Sequence, residues 1–308
     1  MTSAERWHVG DVTVTKILEF ESGGFPPTFM FDGADEERIK SIGWLHPSYA
    51  EPDGSLRYSV HSFVVESDGK RILVDACVGN DKDRGFPGWN HLELPYLERL
   101  EEAGYPPESI DIVLCTHLHM DHVGWNTRLV GDRWVPTFVN ARYVFARTEW
   151  EHWSRADHGL GDMPETVDQM ASLDQAIADS VTPIVDAGLH DLVESNHQVT
   201  PEVFFVPTPG HSPGHVSVEI RSSGQHAVIT GDAILHPVQL DDPQVRSNFD
   251  TDRALAIKTR TDFMETYADQ DSLVFGTHFA TPSVGHIVKD GDGWRFTPAA
   301  ASVRVEAP

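Results

Sequence analysis

The segment CTHLHMDHVGW, residues 115–125, sets His117, His119, Asp121 and His122 within six positions, directly after the apolar run Ile112, Val113, Leu114. In extended backbone, side chains at i and i+2 point the same way, so His117 and His119 can grip one ion together. Asp121 and His122 are adjacent and face elsewhere, which suits a second ion. In a chain with 17 histidines among 308 residues, an H-x-H-x-D-H match has a chance probability below roughly 1 in 100, which makes accident a poor explanation.

Three later stretches add the same residue types. TPGHSPGH (208–215) follows the apolar EVFFVP, GDAILH (231–236) follows HAVIT, and GTHFATP (276–282) follows SLVF. Each sets a ligand type just beyond an expected strand: His211, Asp232 and His278. Strand ends gathered at one rim are where sites are commonly built, because the scaffold is rigid and the loops adapt.

With these motifs in place, HLHMDH, TPGHSPGH, the GD after a strand and the late GTH, the chain resembles the metallo-β-lactamase-fold hydrolases from about Val12 to Trp294. The resemblance implies an α/β (α+β) fold, a four-layer αββα sandwich with a dinuclear metal site along one edge of its two sheets. Carried over residue by residue, it assigns His117, His119 and His211 to a first metal and Asp121, His122 and His278 to a second, with Asp232 bridging. Imidazoles and carboxylates suit zinc, and iron, manganese or cobalt as well, so two divalent cations are expected and zinc is favoured. Two such ions about 3.5–4 Å apart can share a hydroxide whose parent water has its pKa lowered toward ~7, a nucleophile for a carbonyl carbon or phosphorus. Asp121, a ligand with a spare oxygen, is the expected proton carrier to the leaving group.

Departures from parts of this family narrow the chemistry. A di-iron redox member would carry glutamate where His119 stands, and the β-lactamase subclasses replace one ligand or another, for example by cysteine near the Asp232 position. All seven positions are intact here. The 23 basic against 48 acidic residues give a formal charge of −25, which opposes nucleic acid or an anionic lipid surface as partner. What remains is an ester-like bond in a small molecule. The long N-terminal segment, the aromatic loop and GDAILHPVQLDDP resemble the branch of quorum-quenching N-acyl homoserine lactonases and methyl-parathion-type hydrolases. A lactone or related ester, N-acyl homoserine lactones among them, is therefore the expected substrate, with organophosphate triesters or aryl esters as the alternative. A glyoxalase II-like thioesterase would need a basic cluster that the late chain lacks, and a noncatalytic metal-binding module would be expected to have lost ligands.

Around the ligands, Asp75 closes the strand RILVD and His215 follows His211 by four residues; both are expected to support ligands through hydrogen bonds. Phe25, Phe29, Phe31, Phe86, Trp89 and His236 are candidates to line a substrate pocket. His61 and His226 sit within strand patterns and read as core histidines.

The elements that must position these residues are mostly strands: 12–20, 57–67, 70–77, 110–116, 142–146, 202–208, 215–220 and 225–232, with a DGK hairpin turn between the second and third. Helices are expected at about 93–103, 164–179 and 252–268, the last capped by Asp250 or Thr251 and burying Phe263, Met264 and Tyr267. Residues 21–56, 80–91 and 236–250 read as loops. With no linker or composition break, 1–308 reads as a single domain with an N-terminal arm and loop at about 21–56, whose aromatics suggest a homodimer contact. Cys77 and Cys115 lie in apolar stretches and read as buried thiols. Lacking a basic segment followed by an apolar run, and any run of 18 apolar residues, the chain reads as soluble and cytoplasmic.

Overall fold

In the computed structural model, residues 4–85, 88–164 and 167–305 are described. Two large sheets dominate. The first has eight strands in the order His190–Val193, Arg142–Ala146, Ile112–Leu114, Lys70–Val74, Leu56–Ser67, Val12–Phe25, Ala4–Val9 and Val303–Val305. The second has six: Val203–Pro207, Val216–Ser222, Gln225–Ile229, Ser272–Phe275, Val284–Asp290 and Gly293–Pro298.

Strand alternation explains how the layers stack. Because successive side chains point to opposite faces, Leu73, Val113, Tyr143 and Phe145 pack outward beneath helices, with Tyr96, Leu100 and Leu173. Their neighbours Ile72, Val74, Leu114 and Val144 point inward and meet Phe205, Val218, Ile229 and Phe275 of the second sheet. That sheet's outer face, including Val228, Val274 and Ile287, packs against Phe263, Met264 and Tyr267. Three apolar interfaces separate four layers, helix, sheet, sheet, helix, as the αββα expectation requires. No helix among the described residues is long and apolar enough to cross a membrane.

The hairpin turn falls where the sequence sets it, with Asp68 and Gly69 at φ 52° and 70° joining antiparallel strands, the left-handed pair that a two-residue connection demands. The helix Arg253–Tyr267 is capped by Asp252, whose side chain accepts from Leu255 N at 2.8 Å. Neither Asp250 nor Thr251 is the cap, because Asp250 is drawn inward by other partners. The expected helix over 164–179 is observed as Val167–Ala176, continuing through a wide π turn, Ile177–Val181, into Thr182–Asp186.

The stretch 21–56 is more ordered than the loop expected. The strand from Val12 runs on to Phe25, and helices Pro27–Met30 and Glu36–Ser41 follow. Phe31–Asp32 then pairs antiparallel with Arg246–Ser247, and Arg246 bridges Asp32 at 2.7 Å. Two segments read separately as loops are thus stitched together on one side of the sandwich.

Candidate metal centre

The ligand-type side chains converge at the strand ends, as the motif positions require. His117, His119 and His211 offer atoms that lie within 4.8 Å of one another, and so do His117, His122 and Asp232, and Asp121, His122 and His278. Asp232 divides its carboxylate between two groups. Its Oδ2 lies 3.2 Å from His211 Nε2 and 3.8 Å from His117 Nε2, whereas Oδ1 lies 3.2 Å from His278 Nε2 and 3.4 Å from His122 Nε2. Asp121 completes the second group, with Oδ2 3.4 Å from His278 Nε2.

The chemistry of this donor set fits divalent cations. His119 Nδ1 and His211 Nε2 are 3.0 Å apart, and His122 Nε2 and His278 Nε2 3.2 Å, close to the ~3.3 Å edge of a tetrahedron with zinc–nitrogen bonds of about 2.0–2.1 Å. His117 Nε2 and Asp232 Oδ1 are buried without a hydrogen-bond partner among the described residues, and leaving such a group unmet costs about 1–3 kcal/mol. A cation in each of the two groups would meet both.

Electrostatics points the same way. Burial, reinforced by neighbouring imidazoles, holds His117 and His119 well below the ordinary histidine range, so they stay neutral and able to coordinate. At His122 burial opposes charge, but Asp232, Asp121 and Asp75 outweigh it and push the group well above its usual value. His211 is likewise pushed up to about 9, as Asp232 and Asp250 overcome its burial. Asp232, despite complete burial, is held well below the usual carboxylate range by His122, His278 and His211. The carboxylates thus create a field that favours positive charge where the ligand atoms meet.

Outside the ligands, each ring is oriented by a partner. Asp75 accepts from His122 Nδ1 at 3.0 Å and from Thr116 N at 2.8 Å. His215 accepts the Asp232 backbone N–H at 2.8 Å through Nε2 while its Nδ1 faces Thr208 O. Both thus lie in hydrogen-bonding contact with the ligand-type residues. Gly231 permits that contact: at φ 52°, an added Cβ would lie 2.6 Å from His215 Nε2. His278 Nδ1 donates to Ser59 O at 3.0 Å. These partners fix tautomers and aim the coordinating nitrogens.

Two supports were not legible. Asp250 Oδ1 sits 3.1 Å from His211 Nδ1, backed by the buried Arg260. Glu149, 1% exposed, accepts from Leu118 N, Trp153 Nε1, Ser212 Oγ and Gly214 N. It ties the HLHMDH turn to the HSPGH loop. A carboxylate amid tryptophans in RTEWEHW was the available signal, but its partners lie some 30 and 65 residues away.

A cavity of about 780 Å³ opens onto the ligand set, reaching His119, Asp121, His211, Asp232 and His278. Phe25, Phe29 and Trp89 line it as expected, joined by Tyr58, Met120 and Phe249. Phe31 and His236 do not. Phe31 is packed into the outer core of the second sheet, and His236, fully buried, spends its ring nitrogens on Tyr49 O and Val238 N. Phe86 lies outside the described residues. No lysine or arginine is among the described lining residues. His61 is buried against Phe63, as a core histidine, whereas the His226 ring is part-exposed beside Glu219. Cys77 and Cys115 are free and buried.

Known proteins resemble this chain in sequence and in fold. The N-acyl homoserine lactonase AiiA of Bacillus thuringiensis subsp. kurstaki is 26% identical over 241 residues, covering 74% of this chain and 84% of that protein. Among solved structures, the hydrolase AbOPH of the beta lactamase superfamily superposes with a TM-score of 0.82 at 23% identity, over 98% of this chain and 99% of that one. AidC, a dizinc quorum-quenching lactonase in complex with a product, gives 0.80 at 18% identity over the same shares. The model of the metallo-beta-lactamase superfamily matches residues 56–278, a span holding every ligand-type residue described above; the chain belongs to that superfamily and is a metal-dependent hydrolase.

Proposed function

We propose that this chain hydrolyses lactones or closely related neutral esters with an apolar acyl or aryl part, N-acyl homoserine lactones among them, using two divalent ions, most simply zinc. The observation that carries the reading is the meeting of an intact seven-residue ligand set with an apolar cavity that has no lysine or arginine in its described lining. His117, His119 and His211 would hold one ion, Asp121, His122 and His278 the other, and Asp232 both. When bound, such a pair polarises the ester oxygen and supplies a nucleophile from water at neutral pH.

The remaining tasks belong to the chain. Phe25, Phe29, Trp89 and Phe249 take the apolar part of the substrate and exclude water from it. Asp121, which lines the cavity, would carry a proton to the leaving oxygen. An anionic glutathione thioester would find no lysine or arginine among the described lining residues to hold its carboxylates, which disfavours a glyoxalase II-like activity. Phosphotriesters are neutral and fit the same cavity, so they are the second reading.

The test is a side-by-side assay of N-acyl homoserine lactones, aryl esters, phosphotriesters and glutathione thioesters on protein holding two metal ions per chain by elemental analysis. Lactones or aryl esters should be turned over fastest. Thioesters leading the series would overturn the reading.

A further inference from the structure

Tyr58 stands out in the cavity wall because it is polar, buried and belongs to no ligand group. It is 4% exposed, and its ring is clamped edge-on by Phe25, with centroids 4.5 Å apart at 86°, and by Phe20 at 6.1 Å. Its backbone is fixed as well. Tyr58 bridges to Phe279, the residue after His278, and Ser59 N donates to His278 O at 3.1 Å. The strand that carries the phenol is therefore locked to the turn that carries a ligand.

The hydroxyl has one hydrogen-bond partner among the described residues, Trp89 Nε1 at 2.9 Å. An indole nitrogen can only donate, so the Tyr58 oxygen is the acceptor and its own O–H proton has no acceptor in that pair. Burial and the nearby Asp121 and Glu19 carboxylates raise the phenol above its ordinary range, so it keeps this proton at neutral pH. Tyr58 is thus a fixed donor with an open direction, in an apolar cavity where a hydrogen bond to a charged oxygen is strong.

We propose that Tyr58 is a catalytic residue: its phenol O–H donates a hydrogen bond to the ester oxygen that gains negative charge as the bond to be cleaved is attacked. The proton stays on Tyr58 throughout, no covalent bond to the residue forms, and Trp89 holds the oxygen in place. This rests on the proposed ester hydrolysis and adds to it the side chain that shares the developing charge.

The experiment compares wild type, Y58F and W89F on an N-acyl homoserine lactone and an aryl ester, with metal content and thermal melting checked for each. Removing one fixed donor should lower kcat of Y58F by about 10²-fold, with KM changed little and two metals retained. W89F keeps the donor and should lose less. As a readout apart from turnover, a ring-opened N-acyl homoserine, whose carboxylate offers the same acceptor, should bind Y58F about 10-fold more weakly by titration calorimetry. An active wild type whose Y58F variant keeps kcat within about threefold, or changes in KM alone, overturns the role of Tyr58. A wild type inert toward every neutral ester overturns the proposed function instead.

Discussion

The metal cradle and the apolar wall facing it are built by opposite means. In the cradle every ligand-type side chain sits at or just past a strand end, and five outer groups, Asp75, His215, Asp250, Glu149 and Ser59, hold rings or backbone by direct hydrogen bonds. Apart from Phe25 and Tyr58, which lie on strands, the aromatic wall is assembled from segments between strands. Trp89 rides on a loop closed by Asp81 N to Leu92 O and His91 N to Lys82 O, and Phe29 and Phe249 meet edge-on across the junction of two such segments. Loops tolerate change better than sheet edges do. Replacing apolar wall residues should therefore alter which ester is accepted, whereas replacing cradle residues should remove the chemistry itself.

The sharpest way to break this contrast is D232N. Among the described residues Asp232 is the one carboxylate within 3.8 Å of four ligand-type imidazoles, so the amide removes the charge that both groups share. Metal-assisted charge stabilisation is worth several kcal/mol, and about 4 kcal/mol corresponds to about 10³-fold in rate. D232N should lose at least that much kcat/KM on every ester together with bound metal by elemental analysis. Equal loss across substrates is the cradle signature, and a loss confined to one ester would erase the distinction.

A smaller effect is expected one layer out. D250N keeps the shape beside His211 but weakens the carboxylate–imidazole contact at 3.1 Å. Outer partners of this kind typically contribute about 10–100-fold to metal affinity or activity. Competition with a chelator should show D250N releasing metal at correspondingly lower chelator concentration. The buried Arg260 retains backbone acceptors at Ala233, Pro243 and Val245, so the fold should survive. Metal retention equal to wild type would show that Asp250 serves Arg260 and not His211.

The same contrast decides what could be read from the sequence. His117, His119, Asp121 and His122 are local, and period-two geometry makes their spacing meaningful; His211, Asp232 and His278 were found because each follows an apolar strand. The layers were legible for a related reason, since inward and outward residues alternate within single strands. The wall was less so. Phe31 and His236 were expected in it by type and loop position, but the pairing of Phe31–Asp32 with Arg246–Ser247 turns Phe31 into the core, a contact across more than 200 residues. Tyr58 was hidden differently: it lies in a strand read as framework, and only its approach to Trp89 identifies its hydroxyl as exceptional. Asp250 looked like a helix cap because capping and ligand support use the same residue type.

The least of the expected effects tests the wall's foundation. Arg84 and Lys82, in the same loop as Trp89, are fully buried around a single carboxylate. Arg84 grips Asp179 with two hydrogen bonds at 2.8 and 3.0 Å, leaving Lys82 Nζ 3.5 Å from Asp179 Oδ1, 2.6 Å from Thr127 Oγ1 and 3.6 Å from the centre of the Trp134 ring. Burial, helped by Arg84 and opposed by Asp179 and Asp81, pushes Lys82 down to about 7, whereas in the unfolded chain it titrates near ~10.4. Between those values the unfolded state binds a proton that the folded state does not, so the contribution of Lys82 to stability rises with pH there. Below pH 7 both states are protonated and the contribution is flat at its minimum. Denaturant unfolding of wild type and K82M at pH 6, 8 and 9.5 should therefore show the wild type gaining on the variant only above pH 7. Metal content and kcat of K82M should match wild type, since Lys82 contacts Thr127, Asp179 and the Trp134 ring and none of these belongs to the cradle. A difference independent of pH would mean that Lys82 stays charged throughout, and that the wall stands on a three-way ion cluster and not on one ion pair beside a neutral amine.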